Sequence, residues 1–207
     1  MPLPALYLIT DRHQIPSGKD FYGVLEELLA AGVRMIQLRE KDLPADELYT
    51  MAKKVREMTL RHQGLLLIND RVDVALAVAA DGVHLRRSSL PADEVRKLLG
   101  STRLIGVSTH SEEEIAGAAQ QGADFVTFGP VYFTRSKASF GFPKGLSDLQ
   151  KACQSSPLPV YALGGINVTN TPATLVTGVH GIATISTLMA ATNPAATCQK
   201  LLAALSR

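Results

Sequence analysis

Several short stretches of this 207-residue chain place side chains able to bind anions or move protons directly after a run of apolar residues. Gln37, Arg39 and Lys41 follow Met35-Ile36 at alternate positions, so as a strand they share one face. Three long polar side chains on such a face have no function there unless something anionic or polar is bound. A rim salt-bridge network with Glu40 and Asp70 is the plainer alternative. Asn69, Asp70 and Arg71 end a third apolar run, and Arg86-Arg87-Ser88-Ser89 follows Gly82-Val83-His84-Leu85. Ser108 and His110 end another run, and His110 is the best acid/base candidate among the histidines because its intrinsic pKa suits proton transfer near neutrality. The segment Ser111 to Glu114 also reads as a helix cap, and both roles can coexist at one position. Thr134, Ser136 and Lys137 lie in a polar loop. Gly164-Gly165 and Ser186 follow two further apolar runs. Paired glycines let backbone N–H groups approach an oxyanion closely, although a simple turn needs them too.

These residues need a frame that collects strand ends at one mouth, and the rhythm of the chain supplies it. Short apolar runs alternate eight times with amphipathic ones, the signature of strand-helix units on a parallel sheet. Candidate strands are Ala5 to Thr10, Met35 to Glu40, Leu65 to Asp70, Gly82 to Leu85, Leu104 to His110, Phe125 to Val131, Val160 to Gly165 and Gly181 to Ser186. Helical periodicity marks Phe21 to Ala31, Ala45 to Arg61, Val72 to Ala80, Ala92 to Leu99, Glu112 to Gln121 and Pro194 to Ser206. A weak repeat, Ala31-Gly32-Val33, Asp81-Gly82-Val83, Gly122-Ala123-Asp124 and Thr177-Gly178-Val179, closes a helix and leads into a strand each time. At about 26 residues per unit the reading is a (β/α)8 TIM barrel, with chemistry at the C-terminal strand ends and a phosphate cradle after strands seven and eight. An open doubly wound sheet is disfavoured because no GxGxxG follows any candidate strand. The long connection from Tyr132 to Lys144 is expected to be a functional loop. His84 is expected inside the barrel; His13, His62 and His180 are expected at the surface. A side chain at Gly165 is expected to block phosphate binding and leave the fold intact.

Composition bounds the rest. A hydrophobic fraction of 46%, with 21 basic and 19 acidic side chains, predicts one globular domain over residues 1–207 and no field suited to nucleic acid or a membrane surface. Cys153 and Cys198 are too few and too far apart for a disulfide framework or zinc cluster, which predicts a reducing, cytoplasmic home. The N-terminus has no basic leader and no run approaches membrane-spanning length.

Taken together, Tyr7-Leu8-Ile9-Thr10-Asp11, Gln37-Leu38-Arg39-Glu40-Lys41, Ile68-Asn69-Asp70-Arg71, Ala80-Asp81-Gly82-Val83-His84-Leu85, Gly106-Val107-Ser108-Thr109-His110, Phe128-Gly129-Pro130-Val131-Tyr132, Ala162-Leu163-Gly164-Gly165-Ile166 and Gly181-Ile182-Ala183 resemble the thiamine phosphate synthase and TenI-type thiazole tautomerase family. The match runs in order across nearly the whole chain. It implies a (β/α)8 barrel acting in thiamine biosynthesis on a thiazole ethyl phosphate, with a homodimer left open. For a synthase, the resemblance implies that Gln37, Arg39, Lys41, Asn69 and Lys137 hold a pyrimidine-methyl diphosphate. It also implies Mg2+ on Asp70 and on a second carboxylate from a Gly-Gln-x-Asp segment. That segment reads Arg86-Arg87-Ser88-Ser89 here, with Ser89 in the aspartate's place, and arginine repels Mg2+ rather than ligating it. For a tautomerase, Gly164, Gly165, Thr134, Ser136 and Ser186 cradle the phosphate and His110 moves the proton with Ser108 orienting it. Arg86 or Arg87 then pairs with a substrate carboxylate, and no cofactor is needed. The altered metal segment makes the tautomerase the leading expectation and the synthase the alternative.

Overall fold

A computed structural model describes residues 2–134 and 142–206 of the chain. Eight parallel strands close into a barrel in sequence order: β1 (Leu6–Ile9), β2 (Met35–Leu38), β3 (Leu65–Asn69), β4 (Gly82–Leu85), β5 (Leu104–Thr109), β6 (Phe125–Phe128), β7 (Val160–Leu163) and β8 (Gly181–Thr184). Closure is made by β1 against β8, with Leu6 opposite Ile182 and Tyr7 opposite Ala183. Around the barrel run α1 (Phe21–Ala30), α2 (Ala45–Arg61), α3 (Val72–Ala77), α4 (Ala92–Leu99), α5 (Glu112–Gln120), α6 (Gly145–Ser155), α7 (Thr171–Leu175), α8 (Ser186–Met189) and α9 (Pro194–Leu205). None of these helices is long and apolar enough to cross a membrane.

Alternation along the strands sorts the apolar side chains into two layers. Tyr7, Ile9, Met35, Leu67, Phe125, Tyr161 and Ala183 fill the barrel interior. Residues alternating with these and with His84 along the strands, among them Leu8, Ile36, Leu66, Ile68, Val83 and Val126, face outward and pack against the helix ring. Inside, Gly106 is required by its neighbours rather than by its backbone angle. A Cβ there would lie 2.3 Å from the Phe125 ring and 2.6 Å from His84 Nδ1.

Glycine takes the left-handed exit at Gly32, Gly122 and Gly178 but not at Gly82, which lies in β4, and two of the four repeat units carry an aspartate that clamps the N-terminal end of the barrel. Asp81, just before β4, accepts from the Leu66 N–H at 2.7 Å and from the Arg56 guanidinium of α2 at 2.6 Å. Asp124, just before β6, accepts from the Ile105 N–H at 2.7 Å and from Arg96 of α4 at 2.6 Å. Each aspartate therefore ties one strand to its neighbour and to a helix of the ring.

Most strands end one to three residues before the apolar runs do. Past β6 the chain still runs beside β7, since Val131 N donates to Leu163 O at 2.9 Å and Tyr132 N to Gly164 O at 3.0 Å. Pro130 has no N–H to extend the β6 ladder itself. Ser186, expected at the end of the eighth strand, instead opens α8. The short helices α7 and α8, of five and four residues, carry too few turns to show an apolar stripe in the sequence.

Candidate active site

The floor of the barrel mouth is a chain of polar side chains that the apolar packing holds in place. Gln37 Nε2 donates to the Tyr7 hydroxyl at 2.9 Å, Tyr7 Oη lies 3.3 Å from His84 Nδ1, and His84 Nε2 lies 3.0 Å from Ser108 Oγ. Gln37, Tyr7 and His84 are all buried. Burial pushes the His84 imidazole down to about 3, with the Arg39 charge adding to the effect, so the ring is neutral and one nitrogen donates while the other accepts. Burial likewise raises the Tyr7 phenol well above its ordinary value, opposed by the Gln37 bond. Thr127, opposite Ser108 on β6, has a buried hydroxyl with no hydrogen-bond partner. Asn69 shares the inward face of β3 with Leu67 and is largely buried; its amide bonds to no described residue.

On the β2–β4 side the site is cationic. Glu40 is not available as a rim partner for Arg39. It accepts from Thr10 Oγ1 at 2.7 Å and from Arg12 at 3.1 Å, while Arg12 also grips Asp42 at 2.5 Å. Asp70 is taken by the Arg86 guanidinium, bridging the ends of β3 and β4. Of the alternative rim network of Gln37, Arg39 and Lys41 with Glu40 and Asp70, the Arg39 part is not seen among the described residues, and the Arg39 guanidinium makes no hydrogen bond to a described residue. Burial pulls Arg39 below the usual arginine range; Asp11 opposes this and the nearby Arg86 charge adds to it. Arg39 still carries its charge near pH 7, so a half-buried cation faces the mouth without a bonded anion. Arg86 Nε is a buried donor with no acceptor among the described residues. Burial pushes the Asp70 carboxyl up, but hydrogen bonds from Ser89 and Arg86 outweigh it and hold the group below its ordinary value. The Ser89 hydroxyl accepts from Arg86 N at 2.8 Å, which shapes the turn. Lys41 and Arg87 are exposed.

The opposite side, after β7 and β8, is neutral and built from backbone. Gly164 and Gly165 have φ of 101° and 67°, and their N–H groups donate to no described residue. The N–H groups of Ser186 and Thr187 at the start of α8 are equally unpaired, and Leu163 opposite Ala183 brings the two pairs side by side. The Ser186 side chain is exposed, and the Thr187 hydroxyl donates to Ile166 O at 2.5 Å. The paired glycines also serve packing. A Cβ on Gly164 would lie 2.6 Å from Pro130 Cα, and one on Gly165 would lie 2.7 Å from Tyr132 Cβ and 2.9 Å from Phe133 O. The expectation that a side chain at Gly165 would leave the fold intact is therefore corrected: backbone after β6 occupies that space. Thr134 is half-buried at the end of this segment. Ser136 and Lys137 lie outside the described residues.

His110 sits at the mouth as expected, but it is tethered. Glu114 Oε2 accepts from His110 N at 2.7 Å and lies 3.1 Å from its Nδ1, while Ser111 caps α5 by accepting from Glu114 N at 3.2 Å. His110 and Ser108 belong to separate hydrogen-bond groups, and the imidazole joined to Ser108 is that of His84. Among the other histidines, His13 is exposed, His180 is exposed and bonds Leu3 O, and His62 is half-buried against Glu26. A cavity of about 410 Å³ at the N-terminal end, lined by Leu65, Ala80, Asp81 and Leu104, is on the face that holds the strand clamps and not the chemistry.

Comparison with known proteins fits this geometry. The model of the thiamine monophosphate synthase family matches residues 6–188. A protein of Geobacter sulfurreducens named "Putative thiamine-phosphate synthase" is 52% identical over 97% of this chain and 94% of its own length. The thiamine-phosphate synthase of Clostridium novyi is 40% identical over 89% of this chain and 90% of its own. Among solved structures, thiamine phosphate pyrophosphorylase from Pyrococcus furiosus superposes with a TM-score of 0.88 at 37% identity, covering 97% of this chain and 95% of that one.

Proposed function

Since the chain belongs to the thiamine monophosphate synthase family, we propose that it joins a pyrimidine-methyl diphosphate to a thiazole ethyl phosphate, releasing diphosphate. The observation that carries this reading is the presence of two anion-receptive regions across one mouth. Arg39 and Arg86 stand at the ends of β2 and β4, and N–H groups that bond to no described residue stand at the ends of β7 and β8. A coupling of two phosphorylated substrates needs both regions at once. In it the carbon–oxygen bond to diphosphate breaks with the electron pair leaving on oxygen, and the thiazole nitrogen supplies the pair for the new carbon–nitrogen bond. Arg39 stabilises the charge that grows on the departing diphosphate, joined through the resemblance by Lys41, Asn69 and Lys137. The backbone donors beside Gly164 and Ser186 hold the thiazole phosphate, and Ser108, fixed by His84, faces the reacting ring.

This replaces the tautomerase expectation as the leading reading. The relatives named for a specific activity carry the synthase name. Of the two arginines expected at a substrate carboxylate, Arg86 is bonded to Asp70 and Arg87 is exposed. His110 is not needed as a base in a coupling that removes no proton, which agrees with its tether to Glu114.

The Mg2+ that the resemblance implies does not fit the described donors. The Asp70 carboxylate is engaged by a guanidinium, Ser89 offers only a hydroxyl, and the described residues contain no group of three His, Cys, Asp or Glu side chains able to hold a metal ion.

Diphosphate release by the purified chain tests the reading. Release that requires both substrates supports it. No release from the pair, together with aromatisation of a carboxylated dihydrothiazole phosphate, would return the tautomerase to first place.

A further inference from the structure

Arg86 places a fixed positive charge against a carboxylate at the strand ends of the mouth. Its guanidinium meets the Asp70 carboxylate between the ends of β3 and β4, where Asp70 N is fixed by His84 O at 3.0 Å and Asp70 itself holds a left-handed φ of 66°. Its own backbone N–H is tied to the Ser89 hydroxyl at 2.8 Å, which fixes the start of the Arg86 side chain. One buried donor, Nε, is left without an acceptor among the described residues, and a buried donor without an acceptor is costly. The Arg39 guanidinium feels the Arg86 charge and makes no hydrogen bond to a described carboxylate. Two guanidinium groups at the strand ends on either side of β3, one bonded to Asp70 and one to no described carboxylate, present planar donor forks suited to phosphate oxygens.

We propose that Arg86 stands in for a divalent cation, so that Arg39 and Arg86 receive a diphosphate group without metal. The proposal rests on the synthase reading for the identity of the anion. Asp70 then acts as a positioning residue: it neutralises one of the two guanidinium groups and aims the exposed part of Arg86 at the ligand. Ser89 supports the same geometry, and a carboxylate at that position would compete with Asp70 for the guanidinium.

Calorimetric titration of the full chain with inorganic diphosphate, once in EDTA and once in Mg2+, decides it. The expected result is an affinity that agrees within about threefold between the two conditions. Arg86→Met should weaken binding about 10- to 100-fold in EDTA, with no recovery on adding Mg2+. The double variant Arg86→Gly with Ser89→Asp should bind weakly in EDTA and recover in Mg2+, since two carboxylates and an open position then suit a hard cation. Binding by the unsubstituted chain only when Mg2+ is present overturns the proposal and leaves the synthase reading standing. Unchanged affinity in Arg86→Met also overturns it. Absence of diphosphate binding in both conditions removes the proposal and the reading of the substrate together. Because the first comparison uses the unsubstituted protein, a variant that fails to fold does not shield the proposal.

Discussion

The two sides of the barrel mouth offer an anion different kinds of donor. Around β2 to β4 the donors are charged side chains, Arg39 and Arg86, anchored on strand ends and balanced by a single bonded carboxylate, Asp70. Around β7 and β8 the donors are backbone N–H groups released by two glycines at positive φ and by the first turn of α8. A guanidinium adapts to charge that moves during a reaction and carries a full charge of its own. A backbone cradle is rigid and neutral, and it depends on whatever packs behind it. The first suits a leaving group whose charge grows as a bond breaks; the second suits a phosphate that is only held. Between them lies the neutral floor of Tyr7, Gln37, His84 and Ser108, joined by hydrogen bonds that add no charge.

The sharpest way to break this contrast is to remove Arg39. Arg39→Met should lower kcat/KM about 100- to 1,000-fold, as loss of a transition-state charge contact does. Its thermal stability should hold or rise, because a half-buried cation without a bonded partner costs folding energy. Steady-state kinetics beside a melting curve gives both signs at once; a large stability loss with little kinetic effect would recast Arg39 as structural. On the backbone side the order reverses. Gly165→Val should cost about 2–4 kcal/mol of folding stability, through a β-branched residue at positive φ and overlap with the segment from Pro130 to Phe133. Denaturant unfolding measures this. An unfolding midpoint equal to that of the unsubstituted chain would mean the glycines serve only a ligand.

The floor makes a pH prediction. His84 titrates near 3 in the folded chain against an ordinary value of 6.5. Below about pH 6.5 the unfolded chain binds a proton that the folded chain refuses, so stability should fall by roughly 1.4 kcal/mol per pH unit toward acid. It should be fully present above pH 6.5. His84→Gln should flatten that slope in urea titrations between about pH 6 and 4.5, whatever it does to the absolute stability. The smallest effect belongs to Arg87. Exposed at the turn after β4, Arg87→Ala should change stability by under about 0.5 kcal/mol and kcat/KM by under about threefold. A larger kinetic loss would extend the cationic side beyond Arg39 and Arg86.

Much of this frame was legible from the residues alone. The limits of α2 and α4 agree with the expectation at both ends because Pro44 and Pro91 precede acidic first turns and a clear apolar stripe. The strand order follows from eight alternations. The strand ends ran long because the apolar character of a segment such as Phe125 to Val131 reports burial, while the ladder reports pairing, and Pro130 separates the two. The site was legible in outline and not in its pairings. Tyr7 lies in a run, Leu6-Tyr7-Leu8-Ile9, that reads as ordinary core, so its hydroxyl in the floor gave no polar signal. Arg86 and Asp70 are 16 residues apart and meet only because β3 and β4 are adjacent in the closed barrel. Once a barrel is inferred, adjacent strand ends of opposite charge are the signal that would have found them. The tether of His110 was in view as a capping pattern, and its consequence for catalysis depends on which imidazole reaches Ser108.

The most direct test of two anion sites across one mouth is a calorimetric titration of inorganic diphosphate into the chain already saturated with thiazole ethyl phosphate. The account predicts one diphosphate bound per chain with affinity equal to, or tighter than, that for the free protein. Displacement of the thiazole phosphate by diphosphate, with a single anion bound at saturation, would contradict it.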